Sequence, residues 1–269
     1  MILRRILAHF RKQEWTAIGI DFVIVVVGVF LGLQVNNWNE AAADRRAESA
    51  YLSQLQGDLQ RIEGEVRDQI EFEQFQGRLA GNVFDLIQRD RTADRSRRIG
   101  VALSALTQRR TLRTESPTFV DLQSSGNLEI ISDAALRADI ISYFFYTRRL
   151  EAVIDKNNAY FVDEAFVPFM RNSGLPARAW DDQLMEMALP ERGRTIGPFR
   201  DEVYAGPLFQ AQSALLASGP NAASWAPVVT QLTWRAHLSA VNESTAQRLL
   251  QATSTLEARI AGHLDRRRS

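Results

Sequence analysis

One uninterrupted apolar run near the N-terminus limits what this 269-residue chain can fold into more than any other feature. Nearly every residue between Trp15 and Val35 is apolar, and no charged residue occurs from Phe22 onward within that run. A helix of roughly 20 apolar residues crosses the hydrocarbon core of a bilayer, where the backbone must satisfy its own hydrogen bonds. We therefore predict a transmembrane helix at residues 15–35, bracketed by the interfacial tryptophans Trp15 and Trp38.

The charges on the two sides of this run predict its orientation. Four basic residues and one acidic residue, Glu14, precede it, whereas acidic residues outnumber the two basic ones in a similar length after it. Because cytoplasmic flanks carry the excess of Lys and Arg, we expect a bacterial inner-membrane protein with a cytoplasmic N-terminus and its bulk in the periplasm. Residues 1–14 form either a short amphipathic helix on lipid headgroups or a solvated basic tail. Their basic residues before the run are Arg4, Arg5, Arg11 and Lys12.

Two other interpretations of the run are less consistent with its length and pattern. Residues 41–43 are alanines that could form a signal-peptide cleavage site, but the run exceeds the roughly 7–15 residues of a signal-peptide core. The polar stretch 36–40 also separates the run from those alanines. A buried helix of a soluble protein would show a polar face, which residues 22–33 lack. We therefore expect an anchor that is not cleaved.

Asp21 is the one carboxylate inside the run. It lies about 9 Å deeper than Trp15 at ~1.5 Å per residue, and a carboxylate at such a depth is unfavourable. Three roles are open. Asp21 can snorkel or pair with basic residues at the inner interface, it can face another transmembrane helix, or it can bind and release protons on an ion pathway. A single span with an early aspartate and an external domain resembles, in architecture only, the non-channel subunits of proton-driven stators and energy-transducing complexes, although no peptidoglycan-binding signature follows.

Gly28 and Gly32 form a small-xxx-small pair within the same run. Glycines at this spacing let two transmembrane helices approach closely. Together with Asp21, they favour a homo-oligomer or a complex with another membrane protein.

The stretch IGIDFVIVVVGVFLGLQVNNWNE resembles the N-terminus of a family of uncharacterised bacterial single-pass membrane proteins, a domain of unknown function. In that family an acidic residue opens an apolar run that ends in Leu-Gln-(Ile or Val)-Asn-Asn-Trp-Asn-Glu. The matching positions are Asp21 and residues 33–40, a short part of the chain. The resemblance implies a single-pass envelope protein with a helical extracytoplasmic part, and it implies no activity, substrate or catalytic residue.

Beyond the membrane, apolar spacing predicts an all-α fold in which the N-terminal transmembrane helix continues into an elongated extracytoplasmic bundle at residues 36–269. We predict long helices at about 38–90, 134–166 and 225–264. Residues 167–207 are rich in proline and glycine, and we expect either an irregular lobe that contacts a partner or a plain connecting loop. The 3-4-3-4 spacing of a coiled-coil seam is carried by Leu52, Leu55, Leu59, Ile62 and Val66.

The segment YFFYTRRL in the second of these helices is rich in aromatic residues. Tyr143, Phe144 and Tyr146 are our candidates for lining a ligand pocket. The alternative is that they fill the core, which is the commoner role of aromatic residues at helical spacing.

Composition gives no support for catalysis. Cysteine is absent, the three histidines are far apart, and we find no phosphate-binding glycine loop or nucleophile elbow. Basic and acidic residues number 32 each, so no net charge favours nucleic acid. We predict no enzyme, cofactor or metal site.

These features favour a membrane-anchored envelope scaffold or accessory subunit that acts through helix–helix oligomerisation and protein partners, with membrane lipid in contact with its span. The alternatives are a periplasmic ligand-sensing module that signals through a partner, and a proton-coupled subunit of an energised membrane complex that uses Asp21.

Overall fold

The computed structural model describes the backbone of residues 15–177 and 213–268 and the side chains of residues 22–177 and 213–267. Within these ranges every regular element is a helix and no strand occurs, which confirms the predicted all-α class. The predicted N-terminal segment 1–14, with its four basic residues, lies outside the described residues.

The first helix, α1, is one unbroken element from Trp15 to Arg89. Its 75 residues span about 110 Å at ~1.5 Å per residue. It carries the apolar run at its start and the coiled-coil seam further on, so the predicted continuity of the apolar run with the bundle is confirmed. The polar collar between the two parts stays helical, and Asn36 Nδ2 donates to Glu40 Oε1 one turn later at 2.7 Å.

After α1 the chain turns back through the short helix α2, Arg95–Ala105. The Arg95 guanidinium donates to the carbonyls of Leu86 and Ile87 at 2.9 and 3.1 Å, which satisfies two of the free carbonyl groups at the end of α1. An extended segment, residues 107–116, then leads to α3, Pro117–Ser124. A 3₁₀ turn at Asn127–Ile130 follows.

The middle helix, α4, runs from Ala134 to Asn158 and begins with Asp133 as its N-cap. A π-helix at Ala159–Phe166 and a short helix α5 at Val167–Asn172 continue it. Helical structure therefore extends six residues past the predicted end at 166, into the segment predicted to be an irregular lobe.

Proline at position 168 explains why the predicted boundary was set too early. Pro168 occupies the first turn of α5, where the missing N–H is tolerated. The rest of the predicted lobe, from 178 to 207, lies outside the described residues.

The last helix, α6, spans Ala226–Arg268 after a 3₁₀ turn at Ala223–Trp225. It runs antiparallel to α1, since Gln74 of α1 contacts Glu243 while Glu48, earlier in α1, contacts His263. Helix α4 runs parallel to α1. The three helices therefore form an elongated bundle beyond the apolar run.

Two apolar clusters fill the bundle. The proximal core is nearer the apolar run, and the distal core is nearer the end of α1. The proximal core includes Leu52, Leu55, Leu59, Ile62, Val66, Phe119, Phe144, Ile154, Leu249 and Ile260. The distal core includes Phe75, Leu79, Val83, Ile87, Leu103, Leu106, Phe166, Trp225, Val228 and Leu232.

Candidate functional site

The apolar run of α1 makes no packing contact that hides it. Large apolar side chains from Phe22 to Val35 are 46–69% exposed, and Trp38 is 68% exposed. A soluble protein rarely exposes a continuous apolar surface of this extent to water. Helix α1 therefore contains one segment that is long and apolar enough to cross a membrane, near the N-terminus.

Gly28 and Gly32 lie open on this exposed segment. A Cβ atom built on either glycine would meet nothing within 4 Å, so both positions are free to receive another helix. The backbone of Asp21 lies in α1 seven residues before Gly28, and this spacing places the two on the same helix face. The side chains of Trp15 and Asp21 lie outside the described part of the chain.

A layer of buried polar side chains separates the proximal core from the distal core. Glu73 of α1 and Arg235 of α6 are 1% and 2% exposed, and Glu73 Oε2 lies 3.9 Å from Arg235 Nη1. Arg235 also donates to the carbonyls of Leu106 and Gln108 at 3.0 and 3.1 Å, where the chain leaves α2. The guanidinium thus joins α6 to the start of the extended segment.

Amide side chains complete this layer. Asn242 of α6 donates to Glu73 Oε1 at 3.1 Å and to Asn158 Oδ1 at 3.2 Å. Asn158 donates in turn to the carbonyl of Arg110 at 3.1 Å, and Gln69 donates to Glu73 Oε1 at 2.8 Å. The polar layer therefore links α1, α4, α6 and the extended segment directly below the π-helix.

Burial determines the electrostatics of the pair in this layer. Burial raises the pKa of Glu73 above its usual range, against the opposing effect of Arg235 and the hydrogen bonds from its neighbours. Burial also lowers the pKa of Arg235 to about 10, against the attraction of Glu73. Desolvation therefore outweighs the attraction between the two charges, which is the usual balance for buried ion pairs.

A second polar cluster ties the helices together at the end of the bundle nearest the apolar run. Glu48 is 2% exposed and accepts from the Ser132 N–H at 3.0 Å and from Arg267 Nη1 at 2.5 Å. His263 Nε2 lies 3.4 Å from Glu48 Oε1, and His263 Nδ1 lies 3.7 Å from a carboxylate oxygen of Asp133. This cluster fixes the end of α6 and the start of α4 to α1.

The three aromatic candidates of α4 are divided between two clefts. Tyr143 and Tyr146 line a groove of about 440 Å³ between α4 and α6, whereas Phe144 lines a groove of about 430 Å³ beside α3. Tyr143 is 6% exposed and donates to or accepts from Thr253 Oγ1 at 2.9 Å, while Phe144 stacks on Phe119 with ring centroids 4.2 Å apart. Both side chains are thus part of the core as well as cleft walls.

Sequence reasoning missed the polar layer, although one signal for it was present. The seam spacing from Leu52 to Val66 continues through Gln69, Glu73 and Gln76 to Ala80, Val83 and Ile87, and all of these residues are buried. Polar residues at consecutive core positions of an unbroken seam indicate buried polar partners elsewhere in the chain. Their identity depends on tertiary contacts.

Neither a metal site nor a similarity to known proteins assigns a function to this chain. Within residues 15–177 and 213–268, no group of three or more His, Asp or Glu side chains is arranged to hold a metal ion. The chain matches no family model, no curated protein and no solved structure. The function must therefore be argued from the geometry of this chain.

Proposed function

We propose that this chain is a membrane-anchored scaffold or accessory subunit that acts through helix–helix association and protein partners. The observation that supports it most strongly is the contrast within α1 between an exposed apolar run and a continuation that is buried in a bundle. A rigid helix that is continuous across this boundary holds the bundle at a fixed position relative to the lipid.

The proposed orientation places the bundle in the periplasm, since the basic residues that precede the apolar run favour the cytoplasmic side.

We propose that the span itself mediates association through the face that carries Asp21, Gly28 and Gly32. Small residues allow close approach of two helices in lipid, where packing replaces the hydrophobic effect as the driving force. Val35 lies seven residues after Gly28 and shares that face, whereas Leu33 points away from it. Both positions are near the end of the span, at similar depth.

Disulfide crosslinking tests this association directly, because the chain contains no cysteine of its own. We expect full-length Val35→Cys in membranes to form an oxidant-dependent dimer in much higher yield than Leu33→Cys. Equal yields from the two variants, or no dimer from either, would contradict association through the glycine face.

A third variant separates assembly from proton coupling. Asp21→Asn keeps a hydrogen-bonding side chain and removes the titratable group. In the scaffold account, Asp21→Asn on the Val35→Cys background leaves dimer yield and cellular phenotype unchanged. A lost phenotype with intact crosslinking would favour the proton-coupled subunit instead.

A further inference from the structure

We propose that the outer face of α4 docks an acidic amphipathic segment of a protein partner. We define this outer face by Phe145, Arg149, Val153 and Lys156 of α4 and by Tyr160 of the π-helix that continues it. The proposal deepens the scaffold function and rests on it, because it names the chemistry of a partner that the bundle would hold outside the membrane.

The apolar part of this face is exposed and regularly spaced. Phe145 is 60%, Val153 38% and Tyr160 62% exposed. Their separations of eight and seven residues place the three side chains along one side of a helix. Exposed aromatic residues that repeat at helical spacing are typical of helix-docking surfaces, where they supply the anchoring contacts.

Three acidic residues of the middle helix and its π-helical continuation lie away from this face and are already paired. Glu151 Oε1 accepts from the N–H and hydroxyl of Thr114 at 2.5 and 2.9 Å. Asp155 pairs with Arg113 at 3.2 Å, and Asp163 pairs with Arg109 at 2.9 Å. All three carboxylates are thus engaged by the extended segment 107–116.

The basic residues beside the exposed apolar side chains, in contrast to these three carboxylates, are unpaired among the described residues. Within the described part of the chain, no hydrogen bond or ion pair is made by the side chains of Arg148, Arg149 and Lys156. Glu164, one turn beyond Tyr160, is the nearest exposed carboxylate at the distal end of the face. The outer face therefore presents positive charge interleaved with apolar groups, which complements an acidic amphipathic helix.

Two grooves flank the outer face and give such a helix places for its apolar side chains. The groove of about 440 Å³ is bordered by Tyr146 and by Arg248, whose Nε donates to the Ser244 carbonyl of its own helix. The groove of about 430 Å³ has Phe119 at its floor and Arg148 at its rim. Each groove thus combines an apolar surface with a cation.

The height of this face above the span favours a protein partner over the bilayer. Glu48 contacts Ser132 at the start of α4, and it lies about 20 Å along α1 from Val35 at ~1.5 Å per residue. Phe145 lies roughly another 20 Å further from the membrane by the same rise. Lipid headgroups around the span cannot reach that height, and two copies of this face would repel each other through their unpaired basic residues.

Site-specific photo-crosslinking in membranes tests the proposal on the full-length chain. We place p-benzoylphenylalanine at Phe145, and at Phe84 as a matched control, because Phe84 is 40% exposed on α1. We expect an adduct from position 145 and none from position 84. The partner peptide crosslinked at position 145 should be acidic and should have apolar residues at helical spacing. An adduct only to lipid, glycan or a second copy, a peptide without net negative charge, or no adduct would overturn the proposal.

Charge reversal provides a second, independent measurement. We expect Arg149→Glu to reduce the yield of the 145 adduct several-fold, whereas Arg78→Glu on the exposed side of α1 leaves it unchanged. Equal yields in both variants would show that positive charge on the outer face is irrelevant. The Val35→Cys dimer reports span association separately, so a failed adduct with an intact dimer refutes this docking surface and not the scaffold.

Discussion

The two halves of α1 are built for different solvents although they belong to one helix. From Phe22 to Val35 apolar residues surround the helix on all sides and stay exposed. From Leu52 to Ile87 they form a single seam, buried against α4 and α6 in the proximal core and against α2 and α6 in the distal core. An apolar stripe is sufficient when protein covers one side, whereas a fully apolar surface requires lipid on every side.

This difference also determines where polar groups are tolerated. In the second half, Glu73 occupies a seam position beside Arg235 and Asn242 of α6. Gln69 donates to Glu73, and Gln76 donates to the Ala105 carbonyl. In the first half, residues 22–33 are entirely apolar, and the described structure provides no partner for a polar group there.

Paired charges in the first half should have the largest effect. We expect the double change Val26→Arg with Phe30→Arg to release the chain from membranes, since each Arg near the bilayer centre costs about 2.5–3.5 kcal/mol of insertion free energy. The measurement is the fraction of full-length chain that remains in alkali-washed membranes. Glu71→Arg with Asp85→Arg, both at exposed bundle positions of the same helix, is the control and should stay membrane-bound. Release of both variants alike would contradict the comparison.

We expect the second-largest effect from a substitution in the polar layer. Arg235→Met leaves Glu73 buried without a cation and breaks the bonds to Leu106 and Gln108, so we expect a loss of about 3–5 kcal/mol in the free energy of unfolding. Urea denaturation in mild detergent, followed by circular dichroism, measures it. Arg67→Met, which removes an exposed pair with Glu63, should change that free energy by about 0–1 kcal/mol. An equally small effect of Arg235→Met would mean that the polar layer does not stabilise the bundle.

Truncation of the seam sharpens the comparison within α1 itself. Leu59 is fully buried, and Leu59→Ala should lower the free energy of unfolding of the bundle by about 2–5 kcal/mol through the cavity it leaves. Leu31→Ala removes the same atoms from the exposed run and should leave bundle unfolding unchanged under the same denaturation conditions. If Leu31→Ala destabilised the bundle as strongly, the two halves could not be independent.

The smallest expected effect is a pH dependence from Glu73. Its pKa is raised in the folded state, so Glu73 takes up a proton more readily when folded than when unfolded, and this raises stability as pH falls toward 4.5. We expect the free energy of unfolding of the natural chain to increase relative to Glu73→Gln between pH 7 and 5. Denaturation curves of both proteins at the two values measure the difference. If the difference in the free energy of unfolding between the two proteins stayed constant or shrank at pH 5, the raised pKa of Glu73 would be contradicted.

Local periodicity was sufficient to predict the seam, the all-α class and the continuity of anchor and bundle. It was insufficient at the end of α4, where the π-helix widens the turn and changes which residues face inward. Phe161, which lies seven residues after the buried Ile154, is only half-buried, whereas Val162 and Phe166 are buried. A π-turn depends on packing around it and has no sequence period of its own.

The clusters around Glu73 and Glu48 could not be predicted for a different reason. Glu48 meets Ser132 and Arg267, which lie 84 and more than 200 positions away in the chain. The seam spacing places Glu73 at a core position, but only tertiary contact identifies the partners of Glu73 and Glu48. The aromatic segment of α4 was a visible signal, but its division between two grooves depends on the neighbouring helices.

Protease accessibility of a C-terminal tag, measured on membrane-bound chain in intact spheroplasts, tests the central claim most directly. We predict that the tag is removed from outside while the full-length polypeptide remains in the alkali-resistant membrane pellet. A chain recovered from the soluble fraction with its N-terminus near Asp44, or a tag that is protected until the cells are lysed, would contradict the account.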